Sequence, residues 1–271
     1  GSDLRNKYIC SKIIKKFNIS GIIYQYRTKK ISNKKKLNKE EKLLIKHFNE
    51  RDFSEKKFFK NASISFDKIE TIKITEKDLN SKDVENFLKK IKPNIVILYG
   101  VGFLKKNILK LLPKNTINIH TGITPRFKGD ACNFWAFYFL EPNNAGVTIH
   151  FVSEKVDSGP IITQIRPKLS MGDNMHDVTN KALRLAAIKI IKIIKILKYK
   201  KIVGVKKYGG KTFHSSNFKP YHLKMIYNYY ENKIVDLYLR KKINGKSQKL
   251  VKLVWLFKSI NKLFNFCRIV N

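Results

Sequence analysis

Asn94-Ile-Val-Ile-Leu-Tyr99 is a short, continuous apolar run closed by Gly100 and Gly102. Helical spacing flanks it on both sides, so it reads as a parallel strand buried on both faces. Upstream, Leu4 to Phe17 has helical spacing and Ile19 to Tyr26 is a β-branched run. A Lys-rich polar stretch from Arg27 to Lys39 reads as a solvated loop. Glu40 to Lys60 carries a helical stripe through Leu43, Leu44, His47 and Phe48. Ile69 to Thr75 reads as a strand, and Ser81 caps a helix to Ile91. Downstream, the spacing predicts a helix from Lys105 to Leu112, a strand from Thr116 to Ile119, an irregular loop from His120 to Gly129 and a helix from Ala131 to Leu140. Strands over Val147–Val152 and Ile161–Leu169 and a long helix from Asn174 to Tyr199 follow. Such alternation implies an α/β fold, a doubly wound, mostly parallel sheet over residues 1–203. Residues 204–271, richer in Tyr and Lys, read as a small C-terminal extension.

Two ends of the chain depart from a plain doubly wound pattern. The chain opens Gly-Ser-Asp-Leu-Arg and runs directly into a helix. Either Gly1-Ser2 is a foreign remnant, or these residues form the loop after a first strand that this sequence lacks; the second reading is taken. At the other end, Val251 to Phe264 is basic and amphipathic and reads as a helix. It is expected to pack on its own domain or a second subunit, with a membrane-surface contact as the alternative.

Composition sets the limits. The 271 residues include 57 Lys+Arg against 20 Asp+Glu, a formal charge of +37. Eight of the cations are Arg and the rest Lys. Arg, the residue that grips phosphate and guanine edges bidentately, is therefore scarce. Lys, Ile and Asn rise together, as AT-rich coding produces, so the charge alone does not imply a nucleic-acid partner. Three cysteines (Cys10, Cys132, Cys267) make no C-x-x-C pair, and no apolar run is long enough to span a membrane. A reduced, cytoplasmic setting is expected.

In doubly wound sheets the ligand crevice lies at the carboxyl ends of the strands. That rule selects 99–104, 118–129 and 153–159. Asn118 and His120, two apart at a strand end, share one side and can both donate to an oxyanion. Asp157 follows 39 residues later on a loop marked by Gly159 and Pro160. It can orient the imidazole or relay protons. No Ser or Cys stands in a nucleophile elbow, so the substrate must supply the nucleophile. His120, His150 and Asp157 could also be drawn as a metal triad. Sheet alternation explains His150 without one, and no metal is expected. Trp135 and Phe134 read as helix core. His47, Arg51 and Glu55 read as a salt-bridged helix face, with an acceptor-side role as the alternative.

The stretch Asn118-Ile-His120, Gly122-Ile-Thr-Pro-Arg-Phe-Lys-Gly129, Trp135, Gly146-Val-Thr-Ile-His150 and Asp157-Ser-Gly-Pro-Ile161 resembles the N10-formyltetrahydrofolate-dependent formyltransferases. That family includes methionyl-tRNA, glycinamide ribonucleotide and sugar-nucleotide formyltransferases. Its pattern runs Asn-x-His, a loop near Ser-Leu-Leu-Pro-x-Tyr-Arg-Gly, a Trp-bearing helix, Gly-Val-Thr-x-His and Asp-x-Gly-x-Ile. This chain departs with Gly122 for Ser, Thr124 for Leu and Lys128 for Arg. The resemblance implies a formyltransferase catalytic domain over 1–203, with N10-formyltetrahydrofolate as donor and Asn118, His120 and Asp157 as catalytic residues. It places the pterin against Phe103, Leu104, Ser153 and Val156, and the formyl side along Gly122, Ile123, Thr124 and Pro125. The favoured acceptor is an anionic nucleotide-linked amino sugar, as in polysaccharide assembly, with a homodimer as the assembly. Methionyl-tRNA is the first alternative, and a catalytically degenerate basic binding module the second.

Overall fold

The computed structural model describes residues 3–26, 37–64, 68–257 and 268–270. In chain order the elements are α1 (Leu4–Ile14), β1 (Ile22–Gln25), α2 (Lys39–Phe59), β2 (Thr71–Ile74), α3 (Lys82–Ile91), β3 (Val96–Tyr99), α4 (Lys106–Leu109), β4 (Thr116–His120) and β5 (Phe127–Gly129). They continue with α5 (Cys132–Tyr138), β6 (Val147–Phe151), β7 (Ile161–Ile165), α6 (Met175–Tyr199), β8 (Lys200–Val203), β9 (Lys211–Phe213), α7 (Ile234–Leu239), β10 (Leu253–Phe257) and β11 (Arg268–Val270). Side chains fix the long helices at their starts. Asn38 accepts from the Glu41 amide at 2.8 Å while Glu41 accepts from the Asn38 amide at 2.9 Å, a reciprocal cap on α2. Ser81 caps α3 as its spacing predicts, and Asn174 caps α6 by accepting from the His176 and Asp177 amides.

The central sheet has the order β3-β4-β6-β7. β3 and β4 run parallel, as do β1 and β2, whereas β6 runs antiparallel to both β4 and β7. The α/β architecture and the mostly parallel sheet are the expected ones; β6 runs against the other three strands of the sheet, a direction that a strand's apolar content does not carry. α6 covers one face of the sheet with Val178, Ala182, Leu183, Ala186, Ile190 and Ile193, all buried. From Ala182 onward that stripe meets Ile117, Ile119, Val147, Ile149 and Ile162 of the sheet and Ile9 and Ile13 of α1, while Val178 packs in the cluster around Trp135. Each fully buried aliphatic side chain here contributes about 1.5–3 kcal/mol.

Three expectations are corrected. The helix expected over 105–112 is the single turn α4, stopped ahead of Pro113. The strand expected over Ile161–Leu169 ends at Ile165, two residues before Pro167. The start of the expected terminal helix is strand β10, paired antiparallel to β8. Val251, Leu253 and Trp255 are buried while Lys252 is exposed, so a period of two prevails over the helical pattern. Leu253 and Trp255 join the main core; residues 258–267 lie outside the described residues, Cys267 among them. Among the described residues no helix is long and apolar enough to cross a membrane.

Candidate active site

β4 ends with Asn118 and His120, and the antiparallel register sets His150 of β6 directly opposite Asn118. The chain then turns through 152–160 into β7. Gly159 lies against β6 so closely that a Cβ there would stand 1.7 Å from the Phe151 carbonyl oxygen. Asp157 adopts φ 45°, a left-handed conformation that costs a residue with a side chain about 1 kcal/mol or more. This tight turn aims its carboxylate back at β4.

Three donors converge on that carboxylate, with His150 beside them. Asn118 Nδ2 donates to Oδ1 at 3.0 Å and the Gly129 amide donates to Oδ2 at 2.8 Å. His120 Nδ1 lies 3.2 Å from Oδ2, and His150 Nε2 lies 3.3 Å from Oδ1. Partners assign one tautomer. His150 Nδ1 donates to the Phe151 carbonyl at 2.8 Å, which leaves Nε2 to accept from Asn118 Nδ2 at 3.2 Å. His120 differs: its Nδ1 faces Asp157, and its Nε2 stands 3.2 Å from the Phe127 carbonyl oxygen. Both of its partners accept, so only the imidazolium satisfies both.

Burial and charge act in opposite senses on the two partners. Burial alone would raise the Asp157 carboxyl, but His120, His150 and the Gly129 amide outweigh it and hold the group below the usual carboxylate range. Burial is the larger effect on His120 and lowers its pKa, with the Asp157 carboxylate pulling against it. The charge on His120 thus depends on Asp157 being ionised and in place.

These residues open on a cleft of about 1110 Å³. Phe103, Leu104, Ser153 and Val156 line it together with Asn118, His120 and Asp157. Gly122, Ile123, Thr124 and Pro125 are not among the residues that line it. Ile123 and Thr124 are buried behind the site. The Thr124 amide donates to Thr148 Oγ1 at 3.1 Å, so this segment is tied to β6. Gly122 lies under the His120 ring, where a Cβ would stand 2.6 Å from His120 Nε2 and 2.5 Å from Cys132 Cβ. Cys132 therefore fills the space that a Ser side chain at 122 would enter, which accounts for that departure.

A second arm of the cleft is walled by His47, Phe48 and Arg51 of α2 and by His176 and Asn180 of α6. The Arg51 guanidinium sits 4.8 Å from the Phe48 ring centre and pairs with Asp52 at 2.8 Å. Arg51 also lies 3.7 Å from Glu55, the helix-face pairing expected from spacing. The His47 and His176 rings are 4.7 Å apart. Burial, helped by Arg51, lowers the His47 pKa from 6.5 to about 4. Neutral in the fold and protonated when unfolded at mild acidity, His47 adds stability that is complete above pH 6.5 and lost as pH falls through 4. Thermal melts over this window should show Tm falling by several degrees more for the wild type than for His47→Gln; parallel profiles would refute the assignment.

The charged lining of the cleft is Asp3, Glu76, Asp130, Glu154 and Asp157 against Arg5, Arg51 and Lys155. In a chain of net charge +37 the described lining of the cleft carries more acids than bases. Among the described residues no group of three or more His, Cys, Asp and Glu side chains is arranged to hold a metal ion. Trp135 and Phe134 are core, as expected. His150 is the residue that spacing arguments assigned to packing alone. Its signal was available: Thr148 and His150 alternate on β6, and the Gly-Val-Thr-Ile-His segment pairs with Asn-Ile-His.

A family model described as formyl transferase matches residues 18–194. The chain belongs to the formyl transferase family. It is 32% identical over 117 residues to a methionyl-tRNA formyltransferase of Kosmotoga olearia, covering 43% of this chain and 37% of that protein. It is 39% identical over 88 residues to the mitochondrial formyltetrahydrofolate deformylase 2 of Arabidopsis thaliana, covering 32% of this chain and 26% of that one. The matches span about a quarter to a half of the curated relatives' lengths. Among solved structures, the phosphoribosylglycinamide formyltransferase of Anaplasma phagocytophilum shares the fold, with TM-score 0.52 at 19% identity over 79% of this chain and 95% of that one. Within this formyl transferase domain the matched span contains all of Asn118, His120, His150 and Asp157.

Proposed function

We propose that the protein transfers the formyl group of N10-formyltetrahydrofolate to a primary amine, with Asn118, His120 and Asp157 as catalytic residues. The observation that carries this reading is the convergence of Asn118, the Gly129 amide and His120 on Asp157 at the head of the cleft. The neutral amine attacks the formyl carbon, and the carbonyl electron pair moves onto oxygen. The Asn118 amide and the His120 imidazolium hold that oxyanion; each leaves its resting partner, Asp157 or the Phe127 carbonyl, to do so. Asp157 keeps His120 charged and takes the proton shed by the new ammonium. The bond from carbon to N10 then breaks, and N10 receives the proton as tetrahydrofolate leaves. Phe103, Leu104, Ser153 and Val156 are suited to the pterin, with Phe103 63% exposed at the rim and ready to be covered.

For the acceptor we infer an amino sugar linked to a nucleoside diphosphate. The second arm supports it: Phe48 with Arg51 offers an aromatic face beside a cation, a pairing suited to a base and its phosphates. Walls on several sides suit a small molecule. The +37 surface draws an anion from a distance, but the grip is local. The test incubates the protein and formyl donor with nucleotide-linked 4-amino sugars, with methionyl-tRNA, and with no acceptor, following tetrahydrofolate release. Turnover on the sugar nucleotides is expected. Turnover on methionyl-tRNA alone would overturn the acceptor. Equal release without any acceptor would mean hydrolysis and overturn the transfer.

A further inference from the structure

The three-residue strand β5 presents its backbone alternately to two different partners. On one side the Arg126 carbonyl accepts from the Lys211 amide at 3.3 Å, and the Asp130 amide donates to the Phe213 carbonyl at 2.8 Å. On the other side the Phe127 carbonyl faces His120 Nε2 at 3.2 Å, and the Gly129 amide donates to Asp157 at 2.8 Å. The even-numbered residues hold β9, and the odd-numbered ones hold the His120–Asp157 pair. This alternation is the ordinary geometry of a parallel ladder, applied here to a strand only three residues long. Among the described residues β9 is the one strand that pairs with β5.

The geometry points to β9, Lys211–Phe213 of the C-terminal segment, as the positioning element of the catalytic pair, acting through the β5 backbone. This inference rests on the formyl-transfer reading for its kinetic arm only. β9 lies beyond the 18–194 span that matches the formyl transferase model. It is itself firmly held. Phe213 is buried, its ring stacked on Trp135 at 4.7 Å and 17°. Lys128 Nζ donates to the Gly209 carbonyl at 3.0 Å, just before the strand. The two chains meet at glycines with positive φ. A Cβ on Gly129 (φ 84°) would stand 2.1 Å from the Phe213 carbonyl oxygen, and one on Gly210 (φ 72°) would stand 1.5 Å from that of Pro125. Only glycine lets β9 dock this closely. A shift of β9 moves β5, and β5 releases one hydrogen bond on Asp157 and one on His120.

The test is Gly210→Ala, a change that adds one methyl group at the β9–loop junction and none in the catalytic pair. In the Asp157 background it should lower kcat by between about tenfold and a hundredfold, the cost of a misplaced catalytic group. In the Asp157→Asn background it should change kcat less than about twofold, because residues acting through one another do not add. The readout independent of turnover is the NMR titration of His120, assigned by its loss in His120→Gln. Its pKa should fall in Gly210→Ala as the carboxylate moves away. Equal kcat losses in both backgrounds, or an unmoved His120 titration, would overturn the inference. If the wild type transfers no formyl group, the functional reading falls and the titration still decides the role of β9. If Gly210→Ala does not fold, Lys128→Met loosens the same junction and should give smaller shifts in the same directions; no shift there overturns it equally.

Discussion

Asp157→Ala is expected to lower kcat for formyl transfer by about three orders of magnitude, the scale of removing a general base that also charges its partner. Losing the carboxylate removes the acceptor of Asn118, Gly129 and His120 together. His120 remains buried with one acceptor, the Phe127 carbonyl, so burial governs and the ring stays neutral. A neutral His120 cannot stabilise an oxyanion as the imidazolium does. Asp157→Asn keeps the shape and part of the hydrogen bonding but lacks the charge; it should melt near the wild type while retaining the kinetic defect. Steady-state kinetics and thermal melts of both variants check this. A rate within tenfold of wild type for Asp157→Ala would remove Asp157 from the chemistry.

Trp135→Ala carries the largest expected loss of stability, about 3–5 kcal/mol. The indole is 4% exposed and packs against Phe213 at 4.7 Å, Phe134 at 5.1 Å, His222 at 5.1 Å and Tyr138 at 5.4 Å. Its Nε1 has no hydrogen-bond partner among the described residues, so the loss is one of packing and cavity formation. For a domain of this size each kcal/mol shifts Tm by about 2–4 °C, so a fall of roughly 10 °C is expected. Denaturant melts should show an earlier midpoint at unchanged slope. A loss under about 1 kcal/mol would show that the surrounding rings close the gap.

Much of the site was readable from residue order, and the unread part has a common cause. Asn118 and His120 stand two apart at a strand end, and the period-two rule alone puts them on one side. Ser81 and Asn174 announced their helices through the chemistry of their side chains. β5 and β9, three residues each, are too short for any periodicity, and their pairing joins positions 84 residues apart. A backbone amide such as that of Gly129 leaves no trace in residue type at all. The misread end of the chain was a contest of periods. Val251-Lys-Leu-Val-Trp satisfies both a helix and a strand, and the free edge of β8 decided it.

The cleft's acid-leaning lining has a consequence for how such a chain can change. Screening in physiological salt confines a surface charge to about 8 Å, so most of the outer lysines do not set the field around Asp157. Chemistry and composition are therefore insulated from each other. A drifting base composition can rewrite the exterior codon by codon, while the few positions that face the cleft answer to a different selection. Lys155 is the one lysine among the described residues that line the cleft. The exterior could be neutralised residue by residue with its effects falling on solubility and encounter rate, leaving the turnover step as it is.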